Sequence, residues 1–470
     1  MTRIFRLTAI SFAALGLASA ANAQEARNVI LMISDGAGMT TWQAASHYRH
    51  GELGREVYDG FDVHVFMTTY SQGREDGEPG SYDGVPAWDD SPTDDVFEAR
   101  DTTYPQGFEG YRYLRTNATD SAAAGTALAS GVKVYNGALN LAPDGSRLSH
   151  IGQTLAANGG VFGSIADVYW SHATPAAFLA HNTSRQNYEE IGRQIVTDQA
   201  ATVVMGAGHP YFDNNGLPRS GEDVDYRYVG GADTWQALSA GEAGWTAIDT
   251  LAGFEALASG EREVAAGERI IGTVPVAATI RFGRDGDGMD DPLIPTVPDL
   301  ATMSVGALNT LQAQDAPFFL MIEGGAVDWA AHSNNLPRII EEQIGFNLAI
   351  EAVVDWVETH SSWEETLIIV TTDHGNGLLL GPDSLEEAFQ NVVGQGAGFL
   401  PLARWHTDNH TNELVPVWAH GAGAERIVAK ATGRDDGLAA WGIPEESRIY
   451  LDNIELNRAM HEALGLDFPN

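Results

Sequence analysis

Cysteine is absent from all 470 residues. That excludes disulfide bridges, thiolate nucleophiles and Cys-ligated zinc together, so any zinc must be held by histidine and carboxylate. Lysine is nearly absent too: Lys133 and Lys430 are the only ones, and the other bases are arginine. Bases are scarce altogether, 26 against 64 acids, for a formal net charge of −38. Such a surface repels nucleic acid and anionic membranes, which excludes both as expected partners. An anionic substrate would need strong local positive charge to overcome that field, and metal ions can supply it.

Long apolar runs are also missing beyond the N-terminus. Arg3 and Arg6 precede an apolar stretch from Leu7 to Ala20, and Ala21-Asn22-Ala23 then fits a small-x-small cleavage site. Residues 1–23 read as a signal peptide too short to span a bilayer, predicting a periplasmic or secreted protein. Its loss would leave the chain near −40 (−38 − 2), since the leader holds two arginines and no acid.

What remains is 44% hydrophobic and long enough for a large core. Residues 28–34, 160–165, 317–323 and 366–372 are short runs apolar on both faces, as buried parallel strands require. Helical patterns lie between them, at 300–314 and 338–359. Strand–helix alternation predicts an α/β fold: a doubly wound, mostly parallel central sheet with helices on both faces. Residues 24–470 read as one catalytic domain, with surface insertions near 71–110, 214–298 and 375–404. Asp285-Gly-Asp287-Gly-Met-Asp290-Asp291 is acid-rich but lacks the distal Glu and ligand spacing of an EF-hand, so it reads as a solvated acidic turn.

Acids stand where the apolar runs end: Asp35, Glu323 and Asp373. In open α/β sheets those carboxyl ends form the binding crevice. Asp328 and His332 stand four apart, one helical face able to chelate one ion, and Asp373-His374 adds a second acid–His pair. Thr119-Asp120-Ser121-Ala-Ala-Ala-Gly125 begins with a good cap and continues in small residues. Ser121 then falls in the first turn of a tightly packed helix, where amides and the helix dipole attract phosphate. Taken alone, each of these segments also fits a capping or packing role.

Together, and in order, the segments resemble the alkaline phosphatase family. The resemblance runs from Asn28 to about Gly423 and rests on Asn28-Val-Ile-Leu-Met-Ile-Ser-Asp35-Gly-Ala-Gly, Thr119-Asp-Ser121-Ala-Ala, His172-Ala-Thr174-Pro-Ala-Ala with Thr183-Ser-Arg185, Glu323-Gly-Gly-Ala-Val-Asp328-Trp-Ala-Ala-His332, Asp373-His374, and His410-Thr-Asn-Glu-Leu-Val-Pro. It implies a phosphate monoesterase with two zinc ions and one magnesium. Asp328, His332 and His410 match ligands of the first zinc; Asp35, Asp373 and His374 match those of the second. Asp35 would bridge to magnesium, with Thr174 and Glu323 as its other protein ligands. Ser121 matches the nucleophile that becomes a phosphoserine, Arg185 the guanidinium gripping phosphate, and Asp120 the acid orienting it. Within Arg404-Trp-His406-Thr-Asp-Asn-His410, the resemblance favours His410 as ligand and leaves His406 as a loop residue near the entrance. It also suggests a homodimer.

Two positions depart from the best-known bacterial pattern: His172 replaces an Asp near magnesium, and Trp329 replaces a Lys near phosphate. Rival readings are a phosphodiesterase or sulfatase on the same fold, or a non-catalytic phosphate or metal binder. Sulfatases need a C/S-x-P-x-R setting, whereas Ser121 is followed by Ala-Ala-Ala. The diesterases typically lack the magnesium ligands that Thr174 and Glu323 match, and a binder would carry a broken ligand set.

Overall fold

The structure, a computed structural model, describes residues 25–73, 80–100, 102–198 and 200–469. The signal peptide assigned to residues 1–23 lies outside them. Among the described residues one 11-stranded sheet runs in the order Gly433–Arg434, Ile449–Asp452, Val63–Thr68, Val415–Gly421, Thr366–Thr371, Asn28–Ser34, Phe318–Gly324, Val161–Tyr169, Val203–Ala207, Ile270–Thr273, Thr246–Ile248. Val415–Gly421 is antiparallel to both neighbours and Gly433–Arg434 to its one; the other pairings are parallel. No described helix is long and apolar enough to cross a membrane.

Strand alternation sorts each apolar run onto the two faces of the sheet. Val29, Leu31 and Ile33 join one core with Phe319, Met321, Leu367 and Ile369. Ile30 and Met32 join the other with Phe318, Leu320, Ile322, Ile368 and Val370. Covering both faces is why these strands read as uninterrupted apolar runs. Each fully buried aliphatic side chain contributes about 1.5–3 kcal/mol. Helices Ser121–Ser130 and Asn453–Ala463 line the first core, and Leu300–Gln312 and Leu336–His360 line the second.

The segment expected as a surface insertion at 214–298 is corrected in part. Thr246–Ile248 and Ile270–Thr273 extend the main sheet at one edge. They are three and four residues long, too short to show a strand period in the sequence. The stretch 71–110 contains a hairpin, Pro92–Ala99 with Thr102–Phe108, exposed along most of its first strand. Within 285–291, the Asp291 carboxylate accepts from Gly288 N at 2.8 Å and Arg338 at 3.2 Å, so this turn is tied to buried Arg338 rather than fully solvated.

Candidate metal and phosphate site

Asp35 follows the strand Asn28–Ser34, Glu323 lies in Phe318–Gly324, and Asp373 follows Thr366–Thr371. These three strands are neighbours in the sheet, which brings the acids to one carboxyl edge. Gly36 turns the chain away with φ +69, and a Cβ there would meet Asp328 Oδ1 at 2.8 Å. Any side chain at that position would be strained and would push Asp328 aside. Gly36 N in turn donates to Asp373 Oδ1 at 3.2 Å.

The helix Ala326–His332 carries Asp328 and His332 one turn apart, 3.4 Å between Oδ2 and Nε2. His410 Nε2 completes a triangle, 3.3 Å from Asp328 Oδ1 and 3.1 Å from His332 Nε2. His410 Nδ1 donates to Thr119 O at 2.7 Å, and His332 Nδ1 lies 2.7 Å from Asp408 O. Carbonyl partners fix both protons on Nδ1 and turn the Nε2 lone pairs inward, as a metal needs. A second group joins Asp35, Asp373 and His374, whose Nε2 lies 3.3 Å from Asp373 Oδ2 and 3.6 Å from Asp35 Oδ1. A third joins Asp35 and Glu323 with His172, Nδ1 4.0 Å from Glu323 Oε1.

The donor atoms lack partners. Both oxygens of Asp35 and of Glu323, Asp373 Oδ2 and Thr174 Oγ1 are buried with no hydrogen bond. Buried unpaired carboxylates are costly, so the set fits cations. Burial, then Asp373 and Asp328, pushes the Asp35 carboxyl well above its ordinary range. Burial and Asp167 do the same to Glu323, while burial and Asp328 lift Asp373 to about 6. Burial would also raise Asp328, but adjacent His332 and His410 outweigh it and hold that carboxyl well below the usual range. Burial, then Arg185, lowers His172 to about 3, so its imidazole is neutral.

Ser121 opens the buried helix Ser121–Ser130, and the N-cap is Asp120, whose carboxylate accepts from Ala123 N at 3.0 Å. The serine hydroxyl is therefore not spent on capping; Oγ lies 3.2 Å from His374 Nε2. Asp120 Oδ2 also accepts from Arg185 Nη1 at 3.1 Å, and Arg185 Nη2 lies 3.2 Å from His172 Nε2. Trp329 stands over the same corner, its ring 5.9 Å from that of His172 and 6.0 Å from that of Tyr169. Serine, arginine, cap acid and donor groups thus converge from six segments of the chain.

His406 is corrected. It is 1% exposed, its ring packs edge-on to Tyr111 at 4.9 Å, and Nε2 lies 2.8 Å from Ser384 Oγ. It is a buried support, not an entrance residue; Ser384 stands 22 residues away and Tyr111 far along the chain, so no local pattern marks these contacts. Three further residues beside the site had no motif to mark them. Asn376 Nδ2 donates to Asp328 Oδ1 at 2.6 Å, Asp167 Oδ1 accepts from Gly325 N at 2.7 Å, and Arg100 Nη2 reaches His332 Nδ1 at 2.7 Å. For Asp167 the available signal was its place late in an apolar strand.

A doubly wound α/β sheet thus carries three donor clusters able to hold cations beside a buried serine at its carboxyl edge. A sequence profile described as alkaline phosphatase matches residues 89–393. The chain belongs to the alkaline phosphatase family. Alkaline phosphatase 4 of Bacillus subtilis is 30% identical over 269 residues, 56% of this chain and 50% of that protein. Alkaline phosphatase 3 of the same organism is 25% identical over 380 residues, 79% of this chain and 66% of that one. The chain thus spans half to two thirds of the length of these relatives. Among solved structures, the alkaline phosphatase of the Antarctic bacterium TAB5 superposes with a TM-score of 0.61 at 22% identity, covering 94% of this chain and 99% of that one, a likeness of fold.

Proposed function

We propose that this chain hydrolyses phosphate monoesters through Ser121, with two zinc ions and one magnesium. The observation that carries the reading is the set of buried, unpartnered donors gathered beside Ser121 and Arg185. Asp328, His332 and His410 would hold one zinc, and Asp35, Asp373 and His374 the other, nitrogen and oxygen sets that suit zinc. Asp35, Thr174 and Glu323 would hold magnesium through oxygen alone, as a hard ion prefers. Bound there, the ions supply the positive charge that eases ionisation of the serine hydroxyl and neutralises charge growing on the leaving oxygen.

The chain's own groups account for the rest. Ser121 Oγ attacks phosphorus and becomes a phosphoserine, which water then hydrolyses to release inorganic phosphate. Its place at a helix N-terminus aims free amides at the phosphoryl oxygens. Arg185 donates two N–H groups to those oxygens, and Asp120 fixes its plane. Substrates are small phosphate esters, exported contact with them being provided by the leader at residues 1–23.

The test is metal analysis of the purified protein together with turnover of p-nitrophenyl phosphate and bis-p-nitrophenyl phosphate. Two zinc and one magnesium per chain, with strong preference for the monoester, is expected. Preference for the diester would defeat the monoesterase reading.

A further inference from the structure

The hairpin Pro92–Ala99 with Thr102–Phe108 brings a charge to the site that no motif marks. Tyr104 OH donates to Asn334 Oδ1 at 2.6 Å, and Asn334 Nδ2 donates to Ala331 O at 3.0 Å and Thr407 O at 2.9 Å. Tyr104 and Ala99 are buried. The hairpin is thereby pinned to the end of the helix carrying Asp328 and His332. Its exposed tip residue Arg100 turns with φ 48 and sets Nη2 2.7 Å from His332 Nδ1.

That nitrogen cannot serve both of its neighbours. His332 Nδ1 also lies 2.7 Å from Asp408 O, a carbonyl, which can only accept. With the proton on Nδ1 and the Nε2 lone pair turned to Asp328 and His410, the Arg100 N–H faces another N–H. A guanidinium has five donors and no acceptor, so this one stands beside the Nδ1 edge of His332 with donors left for an anion. Among the described residues Arg100 forms no ion pair, while Asp95 on the same hairpin is taken by Arg112.

Its position relative to Ser121 gives it a use. Ser121 Oγ contacts His374, the His374 and His410 rings stack at 3.8 Å, and the His410 and His332 rings stack at 4.9 Å. Arg100 stands at the far end of that row. In an in-line displacement the leaving oxygen departs opposite the attacking oxygen. We infer that Arg100 selects substrates whose leaving group carries a second anion, a carboxylate or phosphate, by meeting it on the departure side. In a chain of 64 acids and 26 bases, such a group would otherwise be repelled.

This rests on the phosphomonoesterase reading and is tested apart from it. The substrates are phenyl phosphate, 4-carboxyphenyl phosphate and inorganic pyrophosphate, compared in wild type, Arg100→Gln and Arg100→Lys, with bound metal measured in each. The ratio of kcat/KM for either anionic leaving group to that for phenyl phosphate should fall about tenfold to a hundredfold in Arg100→Gln, the effect of losing one charge-assisted hydrogen bond. Arg100→Lys should retain much of it. A fall with 4-carboxyphenyl phosphate alone assigns the carboxylate, and with pyrophosphate alone the phosphate. An unmoved ratio overturns the inference, as does loss of metal with all three rates falling together, which would make Arg100 a prop for His332. Wild type inert on phenyl phosphate would instead defeat the monoesterase reading.

Discussion

Ser121 Oγ and His374 Nε2 lie 3.2 Å apart although 253 residues separate them in the chain. The serine heads a helix packed on one face of the sheet, and the histidine follows a central strand. Asp120 makes the contact possible by taking the cap, which leaves the hydroxyl free to point at the donor clusters.

Removing that hydroxyl tests the assignment directly. Ser121→Ala should fold, keep its metal and lose roughly three orders of magnitude or more in kcat, with a small residual rate from direct attack by water. Trapping with radiolabelled phosphate at acid pH should mark wild type and not the variant. Full activity in the variant would remove Ser121 from the mechanism.

Glu342 offers a pH test away from the metal donors. It is 2% exposed, and neither carboxyl oxygen has a hydrogen-bond partner. Burial, then Asp167, raises its carboxyl to about 8, against the pull of Arg281 and Arg284. An acid whose folded pKa is raised binds more protons in the folded state, so stability falls as pH climbs from about 4.5 to about 8. Glu342→Gln cannot ionise. It should match wild type near pH 5 and exceed it by on the order of 2–4 kcal/mol at pH 9, read by thermal or denaturant unfolding. An equal difference at both pH values would show that Glu342 does not titrate in this range.

The pattern of what could be read follows from chain distance. Asp35, Glu323 and Asp373 were legible because each sits at the end of an apolar run covered on both faces, a signal that is local. Asp328 and His332 were legible because four residues make one helical turn. Thr246–Ile248 and Ile270–Thr273 were not, since edge strands this short carry no period. Arg100 was hidden for a different reason. Its hairpin is acidic and mostly exposed, and its partner His332 is 232 residues away.

His410 and His406 separate by partner. His410 Nε2 faces Asp328 at 3.3 Å, whereas His406 Nε2 lies 2.8 Å from Ser384 Oγ beneath Tyr111. His410→Ala should lose about one zinc per chain and most activity. His406→Ala should keep its zinc and lower stability by about 1–3 kcal/mol, the price of an unpaired buried hydroxyl and a small cavity. Zinc content and melting temperature of the two variants decide it, and zinc loss confined to His406→Ala would reverse the assignment.

On the proposed reading, His172 sets the strength of the third site. Asp35 and Glu323 give it carboxylates and Thr174 a hydroxyl, but His172 brings a neutral ring whose Nε2 is occupied by Arg185 at 3.2 Å. Burial, then Arg185, keeps that ring uncharged by lowering it to about 3. A neutral imidazole holds the water shell of magnesium less firmly than a carboxylate would. Wild type should therefore lose magnesium on dialysis and regain activity when it is added back. His172→Asp should bind magnesium about tenfold more tightly or better, measured by titration and by metal content after dialysis. The new carboxylate would also pair with Arg185, drawing its guanidinium from the phosphoryl oxygens, so KM should rise while the magnesium requirement falls. Equal magnesium affinity in the two proteins would mean that position 172 does not govern the third site.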